Sequence, residues 1–372
     1  MKKFVSYIFL LLLLLLKTVT CVFADNLSYT QEGIVKAVEY VDVVENDFTQ
    51  TKQVAIVKIT KGELKGQEIY AENMLTGNPF YDITLKNNMK VIVHSEVTDG
   101  NQINSIEDIK RSNVLIALAS LFCLLLVYVG RKKGVLSIVS IALTCVLICN
   151  VLSPLILLGI NPVLATFLIC MLSTALTMYM VGGFNKKSTS ATLGCTMSIL
   201  IAGILSLLTV KFAHINGFIN ENVTYLYSAK PDLDFVGIVI SAMLLATLGA
   251  VMDVSMSIAS TVNEIFEIDC SKTVKELFKS GMNVGRDIIG TMANTLILVY
   301  LGGSLPLLLL ASNIDWNKFI NLNQVVVEVA SALIGSSAIV ICVPITAIIT
   351  SYFIKLKKCD SPETIENSLF EE

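Results

Sequence analysis

Residues 249–265 read GAVMDVSMSIASTVNEI, and residues 281–303, after a short charged connection, read GMNVGRDIIGTMANTLILVYLGG. On a helix the polar positions of each stretch fall into register. Asp253, Ser257, Ser260, Thr261 and Glu264 recur at steps that keep them on one side of a helix, and so do Asp287, Thr291, Asn294 and Thr295. A carboxylate at membrane depth costs at least about 2.5 kcal/mol on insertion scales. Each stripe is therefore expected to face protein or water rather than lipid, and the two stripes to face each other.

The rest of the chain supports a membrane setting. Hydrophobic residues make up 54% of it and charged residues 15%, well under the roughly 25% charged of soluble domains. No basic surface for nucleic acid is visible. Residues 1–24 carry Lys2 and Lys3 and then an apolar run that Lys17 ends, too short to span and suited to a signal peptide. Cys21 is not read as a lipidation site, because Thr18 stands where a lipobox wants an aliphatic residue.

Residues 25–111 have the character of a small extracytoplasmic β-rich domain, a barrel or a sandwich. EGIVKAVEYVDVV, QVAIVKIT, GQEIYAE and MKVIVHS alternate partially and are rich in β-branched residues, with Lys61–Gly66 as a turn. This region contains no cysteine, which leaves no disulfide framework. A helical transmembrane domain follows over 112–354, with seven spans expected near 113–130, 135–154, 162–182, 189–210, 235–254, 288–310 and 325–353, and a cytoplasmic tail over 355–372. Between the fifth and sixth spans, SKTVKELFKS reads either as a short amphipathic helix on the inner leaflet or as an ordinary solvated one. Lysine and arginine concentrate in alternate loops, at Arg131–Lys133, Lys186–Lys187 and Lys272–Arg286, which places the first domain outside and the C-terminus inside a bacterial plasma membrane.

GAVMD, the Ser-Ile-Ala-Ser and Asn-Glu-Ile steps, SGMNVGRDIIGTMANTLILVYLGGSLP over 280–306 and, more loosely, GELKGQEIYAENML over 62–75 resemble the YibE/F-like family of bacterial multi-span membrane proteins. The resemblance implies an extracytoplasmic N-terminal region followed by a helical membrane domain. It implies no particular biochemical activity.

The residues themselves favour a path for a small solute or ion through Asp253, Ser257, Ser260, Asp287, Thr291, Asn294 and Thr295, with Glu328 at the opposite end. Gly302, Gly303 and Pro306 break the sixth span, and broken helices free carbonyls that can hold ions. The competing reading takes the hydroxyls as interhelical packing contacts, worth about 0.6 to 2 kcal/mol each, and Asp287 as the complement of a helix N-terminus. Asp253 has a further structural alternative, as the partner of Arg286. No enzyme motif is present: HExxH, GxSxG and a Walker loop are missing, and Asp253 and Asp287 lack the Gly-x-Gly-Asp context of an aspartyl intramembrane protease. His94 and the Met252/Met256 pair read as structural rather than metal-binding, so neither a metal nor a cofactor is expected. Two functions remain. One is a permease-type protein for a small solute or ion. The other is a non-transporting scaffold for an envelope or secretion partner, with a second copy or a second membrane protein of the same type as a possible companion in either case.

Overall fold

The computed structural model describes residues 28–356 apart from 46–47, 80–81 and 99–100. The expected signal peptide and the end of the tail lie outside the described residues. Two compact units divide between Tyr128 and Val129.

The first unit holds a closed five-stranded barrel in the order β1-β2-β3-β5-β4. Its strands are β1 (Ser28–Glu45), β2 (Phe48–Lys61), β3 (Glu68–Met74), β4 (Lys90–Thr98) and β5 (Asn101–Ile109). Neighbours are antiparallel except β3 and β5, which meet in parallel at Glu72 and Ser105. This is the Greek-key arrangement of OB-type barrels. Alternation puts Gln53, Ala55, Val57 and Ile59 of β2 inside, against Val35, Ala71, Val91, Val93 and Ile106. The interior is not wholly apolar. Gln53 Oε1 accepts from Asn73 Nδ2 at 2.9 Å and from the Leu85 amide at 3.0 Å, and Asn73 Nδ2 also donates to the Ile83 carbonyl at 2.6 Å. The turn foreseen at Lys61–Gly66 is present, with Gly62 and Gly66 at φ 130° and 91°, values open to glycine. The sequence reading missed β5, whose NQINSIEDI is polar at most positions and, among the side chains described, buries only Ile106.

Seven spans were expected, and six helices among the described residues are long and apolar enough to cross a membrane. The difference lies at the first two. Helix α1 (Ser112–Leu147) consists of two helical runs that meet at a kink in the expected inner loop, where Arg131 is non-helical at φ 47° and ψ −127°. It continues through a π-helical stretch, Ile148–Leu152, into α2 (Ser153–Leu157), a 46-residue run in all. At 1.5 Å per residue the parts before and after the kink at Arg131 are about 28 and 39 Å long, each enough for one crossing.

Then come α3 (Pro162–Gly182), α4 (Lys186–Phe212), a short α5 (Glu221–Ala229) in the long polar connection, α6 (Phe235–Ile268) and α7 (Val274–Gly303). The chain breaks at Ser304 into α8 (Leu305–Leu310), passes through α9 (Trp316–Ile320) and ends in α10 (Asn323–Lys355). No separate amphipathic helix precedes α7: the expected SKTVKELFKS segment supplies its start and first turns. Thr273 and Glu276 form a capping box there, which satisfies amide donors that would otherwise be orphaned. Fully buried residues of α4, α6 and α10, among them Ile199, Val251, Ile258, Ala338 and Val343, make the main core.

Candidate functional site

The depth of each polar residue follows from its neighbours. Helices α3 and α6 run side by side in one direction. A methyl added at Gly237 would lie 3.2 Å from Pro162 Cδ, and one at Gly182 would lie 2.8 Å from Met256 Cε. The 21 residues of α3 span about 31 Å, close to the roughly 30 Å hydrocarbon thickness. The level of Gly182 thus marks one face of the membrane, and Asp253 lies about one turn inside it. Ser257, Ser260, Thr261 and Glu264 lie beyond it, on about 18 Å of α6 that continues past α3. Helix α7 runs the other way. Its Gly281 meets Val262 and Ala347, its Gly285 meets Val343, and its Leu296 meets Gly335 and comes level with Thr247. Asp287 therefore sits near the same boundary as Asp253, and Thr291, Asn294 and Thr295 run into the apolar layer.

The two stripes do not come together. Leu277, Gly281 and Gly285 are buried on α7, and Ile288, Ile289, Met292 and Leu296 pack against the core. At 3.6 residues per turn Asp287, Thr291 and Asn294 then point away from the bundle. Those three residues, Thr295, Asp253 and Ser257 are all exposed, and Ser260 and Thr261 are half-buried. The hydroxyls turn back on their own helices: Thr261 donates to the Ser257 carbonyl at 2.9 Å, Thr291 to that of Ile288 at 3.1 Å and Thr295 to that of Thr291 at 2.9 Å. Among the described residues no ion pair joins Asp253 to Arg286, and Arg286 Nη1 instead approaches Asn283 Oδ1 at 3.4 Å. The physical reason is the glycine face of α7. Glycine lets its backbone approach α6 and α10 closely, and that docking turns the polar face outward.

Glu328 is placed differently. It is half-buried one turn into α10 and lines a cavity of about 210 Å³. The wall combines the end of α7, the break at Ser304, α8, Phe319 of α9 and the first turns of α10. The Ser304 hydroxyl lies beside the Glu328 carboxylate, and the Tyr300 hydroxyl lies beside Ser331. The foreseen break after Gly302 and Gly303 is what opens this space.

The interior polar residues were not foreseen. Ser188, Ser198 and Ser206 of α4, Ser255 of α6, and Thr346 and Ser351 of α10 are fully buried. Ser255 Oγ lies 2.9 Å from Cys342 Sγ, and Thr174 Oγ1 lies 3.7 Å from Cys195 Sγ. Most of the others donate to a carbonyl one turn back, as Ser198 does to Gly194 at 2.8 Å. At Gly194 itself an added methyl would collide with the Thr346 side chain. The signal was legible as Ser188, Ala191, Cys195, Ser198, Ala202 and Ser206, a small-residue stripe of the kind that lets membrane helices approach closely.

The family described as YibE/F-like protein matches residues 118–356, and that described as YibE/F family N-terminal domain matches 30–109. The chain belongs to the YibE/F-like family. The boundary between the two matched regions, 109 to 118, brackets the end of β5 and the start of α1, so the barrel is the YibE/F N-terminal domain and the helices are the YibE/F membrane domain. Neither a curated protein nor a solved structure matches the chain. With its long apolar helices, this YibE/F-like chain is a membrane protein.

Proposed function

We propose that this protein is a non-catalytic permease for a small solute or ion, whose path runs along the outward polar face of α6 and α7 and is closed by a second copy or a second membrane protein of the same type. The observation that carries this reading is the exposure of Thr291, Asn294 and Thr295 within the apolar layer, between Asp287 near one boundary and the Glu328 cavity towards the other. A polar strip of that length facing lipid is costly, and covering it with protein leaves a water-accessible seam. Asp253, one turn inside the boundary, is the group we assign to proton coupling. The barrel is read as extracytoplasmic and the C-terminus as cytoplasmic, on the alternation of basic residues between loops.

The scaffold reading is favoured by one fact, that the interior hydroxyls of the bundle are packed rather than arranged around an open passage. Cysteine accessibility separates the two without knowledge of the substrate. In a chain lacking its native cysteines, Thr291→Cys and Asn294→Cys should react with a membrane-impermeant thiol reagent in cells. Complete protection of both, while a cysteine in the polar loop at Glu221 labels, overturns the permease reading. Reporters fused after Lys110 and Lys187 test the orientation: the first should behave as extracytoplasmic and the second as cytoplasmic.

A further inference from the structure

Helix α7 is the least apolar of the six long helices and also the least covered: 6% of its most apolar 18 residues are buried, against 22–56% in the other five. Those two properties conflict in a membrane, because polar side chains turned to lipid find neither donor nor acceptor. The outward face presents Asp287, Gly290, Thr291, Asn294 and Leu298, all exposed, at spacings of one to four residues that keep them on one side of the helix. Thr291 donates to its own helix, whereas the Asn294 amide has no partner among the described residues. Neither Arg286 nor Asp287 has an ion pair there, and Arg286, on the flank of the same face, makes only the 3.4 Å contact with Asn283.

These groups specify what can cover them. An amide both donates and accepts, so it is complementary to a second amide at its own depth. A guanidinium and a carboxylate on consecutive residues are complementary to the same two residues taken in reverse order across an axis. An identical α7 facing this one in parallel meets both conditions, which is the self-complementary contact of a two-fold pair. Two copies cross the membrane in the same sense, so Asn294 meets Asn294, and Arg286 lies one residue's rise, about 1.5 Å, from the level of the other copy's Asp287. An antiparallel neighbour would set the charges against the apolar end at Leu301, and a lipid tail would satisfy none of these groups. Gly290 and Thr291 add little bulk between them, so the two backbones can approach.

We propose that two copies of this chain pair in the membrane through parallel α7 helices, with the Asn294 amides facing each other across the seam and Arg286 of each copy reaching Asp287 of the other. This deepens the permease reading by naming the partner that closes its path, and it rests on that reading for the claim that the polar strip is covered by protein. The two fail separately. Paired copies whose strip is shielded from water refute the permease alone, and an unpaired chain whose strip reacts from water refutes the pairing alone.

Disulfide crosslinking of the full, cysteine-free chain in native membranes reads the pairing. Leu298→Cys leaves Asn294 and the charges in place, and copper phenanthroline should convert it to a product of two chain masses. Leu298 is 58% exposed and Leu168 of α3 is 55% exposed, so Leu168→Cys controls for random encounter and should yield at least tenfold less. Adding Asn294→Leu to the Leu298→Cys chain should lower the yield by about fivefold, the loss expected of one interhelical hydrogen bond, without harming insertion, since leucine suits lipid. Charge reversal is more specific. Arg286→Asp makes a copy acidic at both positions and Asp287→Arg makes one basic at both, so each should pair poorly with itself. Carrying different tags, these two copies should pair with each other at least fivefold better than either does with itself. The proposal is overturned by equal crosslinking of Leu298→Cys and Leu168→Cys, by a product that contains a different protein, by an unchanged yield with Asn294→Leu, or by no preference for the mixed pair. If a charge variant fails to insert, the Asn294→Leu result decides the matter.

Discussion

Replacing Gly285 by alanine tests how α7 is seated, and with it the reason its polar face is turned outward. A methyl built at Gly285 would collide with Val343 Cγ1, and both other contacts within reach also belong to the Val343 side chain. Val343 is fully buried, so it has no space into which to retreat. Overpacking a tight core costs about 1–3 kcal/mol, and a clash this close belongs at the upper end, about 3 kcal/mol. Removing a helical glycine returns about 1 kcal/mol. The expected net loss is about 2 kcal/mol. Gly290 lies on the same helix with nothing within 4 Å of an added methyl, so Gly290→Ala should be neutral or stabilise by up to about 1 kcal/mol. Thermal unfolding of the full chain in one detergent, followed by Trp316 emission, should rank Gly285→Ala below the unmodified protein and Gly290→Ala at or above it. Val343→Ala should destabilise alone and yet relieve Gly285→Ala, a coupling that a double-mutant cycle reads directly. Equal midpoints for the two glycine variants, or full additivity of Gly285→Ala and Val343→Ala, would refute the close seating of α7.

Three further expectations follow from the same kind of reasoning. Gln53→Leu strands the Leu85 amide and removes one partner of Asn73 inside the barrel; at about 1–3 kcal/mol per orphaned donor, and with the unpartnered Gln53 Nε2 removed in return, urea unfolding of residues 28–110 should show a loss of about 2–4 kcal/mol, and a loss under about 1 would refute the polar core. Glu32 pairs with Lys110, and that hydrogen bond holds its carboxyl below the usual carboxylate range. A depressed folded-state pKa means the contribution is complete above the ordinary carboxylate value and fades as pH falls through the folded one. Barrel stability should therefore drop on acidification through that window, and Lys110→Met should flatten the drop; an unchanged profile would remove the pair from the account. Asp253→Asn should keep insertion and abundance while abolishing the physiological activity, and full activity at every pH tested would end the coupling role of that residue.

The architecture was largely written in the sequence, because its signals are local. A signal of alternation sufficed for β1 to β4, and apolar run lengths sufficed for the spans. Strand β5 escaped because its partners, not its own composition, make it a strand: Val93, Ser95 and Thr98 of β4 pair with Ile106, Asn104 and Asn101. The site was less legible. Periodicity correctly groups Asp287 with Thr291 and Asn294, but it cannot say which way a face turns. That was decided by Gly281 and Gly285 meeting Val262, Ala347 and Val343, contacts between residues far apart in the chain. Helix length was hidden for a related reason. Apolar run lengths stop α6 near Val254 and begin the next span near Ile288, yet both helices continue past the boundary because Phe266 and Leu277 are buried together in the core.

That continuation makes a lever of α6. It passes the level of Gly182 with no proline, bulge or left-handed residue, so the segment from Ser257 to Ile268 is mechanically one piece with the segment that carries Asp253. Its tip is also tethered: Lys355 Nζ reaches the carbonyls of Cys270 at 3.0 Å and Lys272 at 2.9 Å. Tilting an arm of about 18 Å by roughly 10° moves its end by about 3 Å, and a rigid rod passes that same tilt to the buried half, together with its tethered neighbour α10. At the far end of α7 the joint at Ser304 has the opposite property, since a break there absorbs motion instead of relaying it. A load applied beside Cys270 would thus be felt at Asp253 before it was felt in α8.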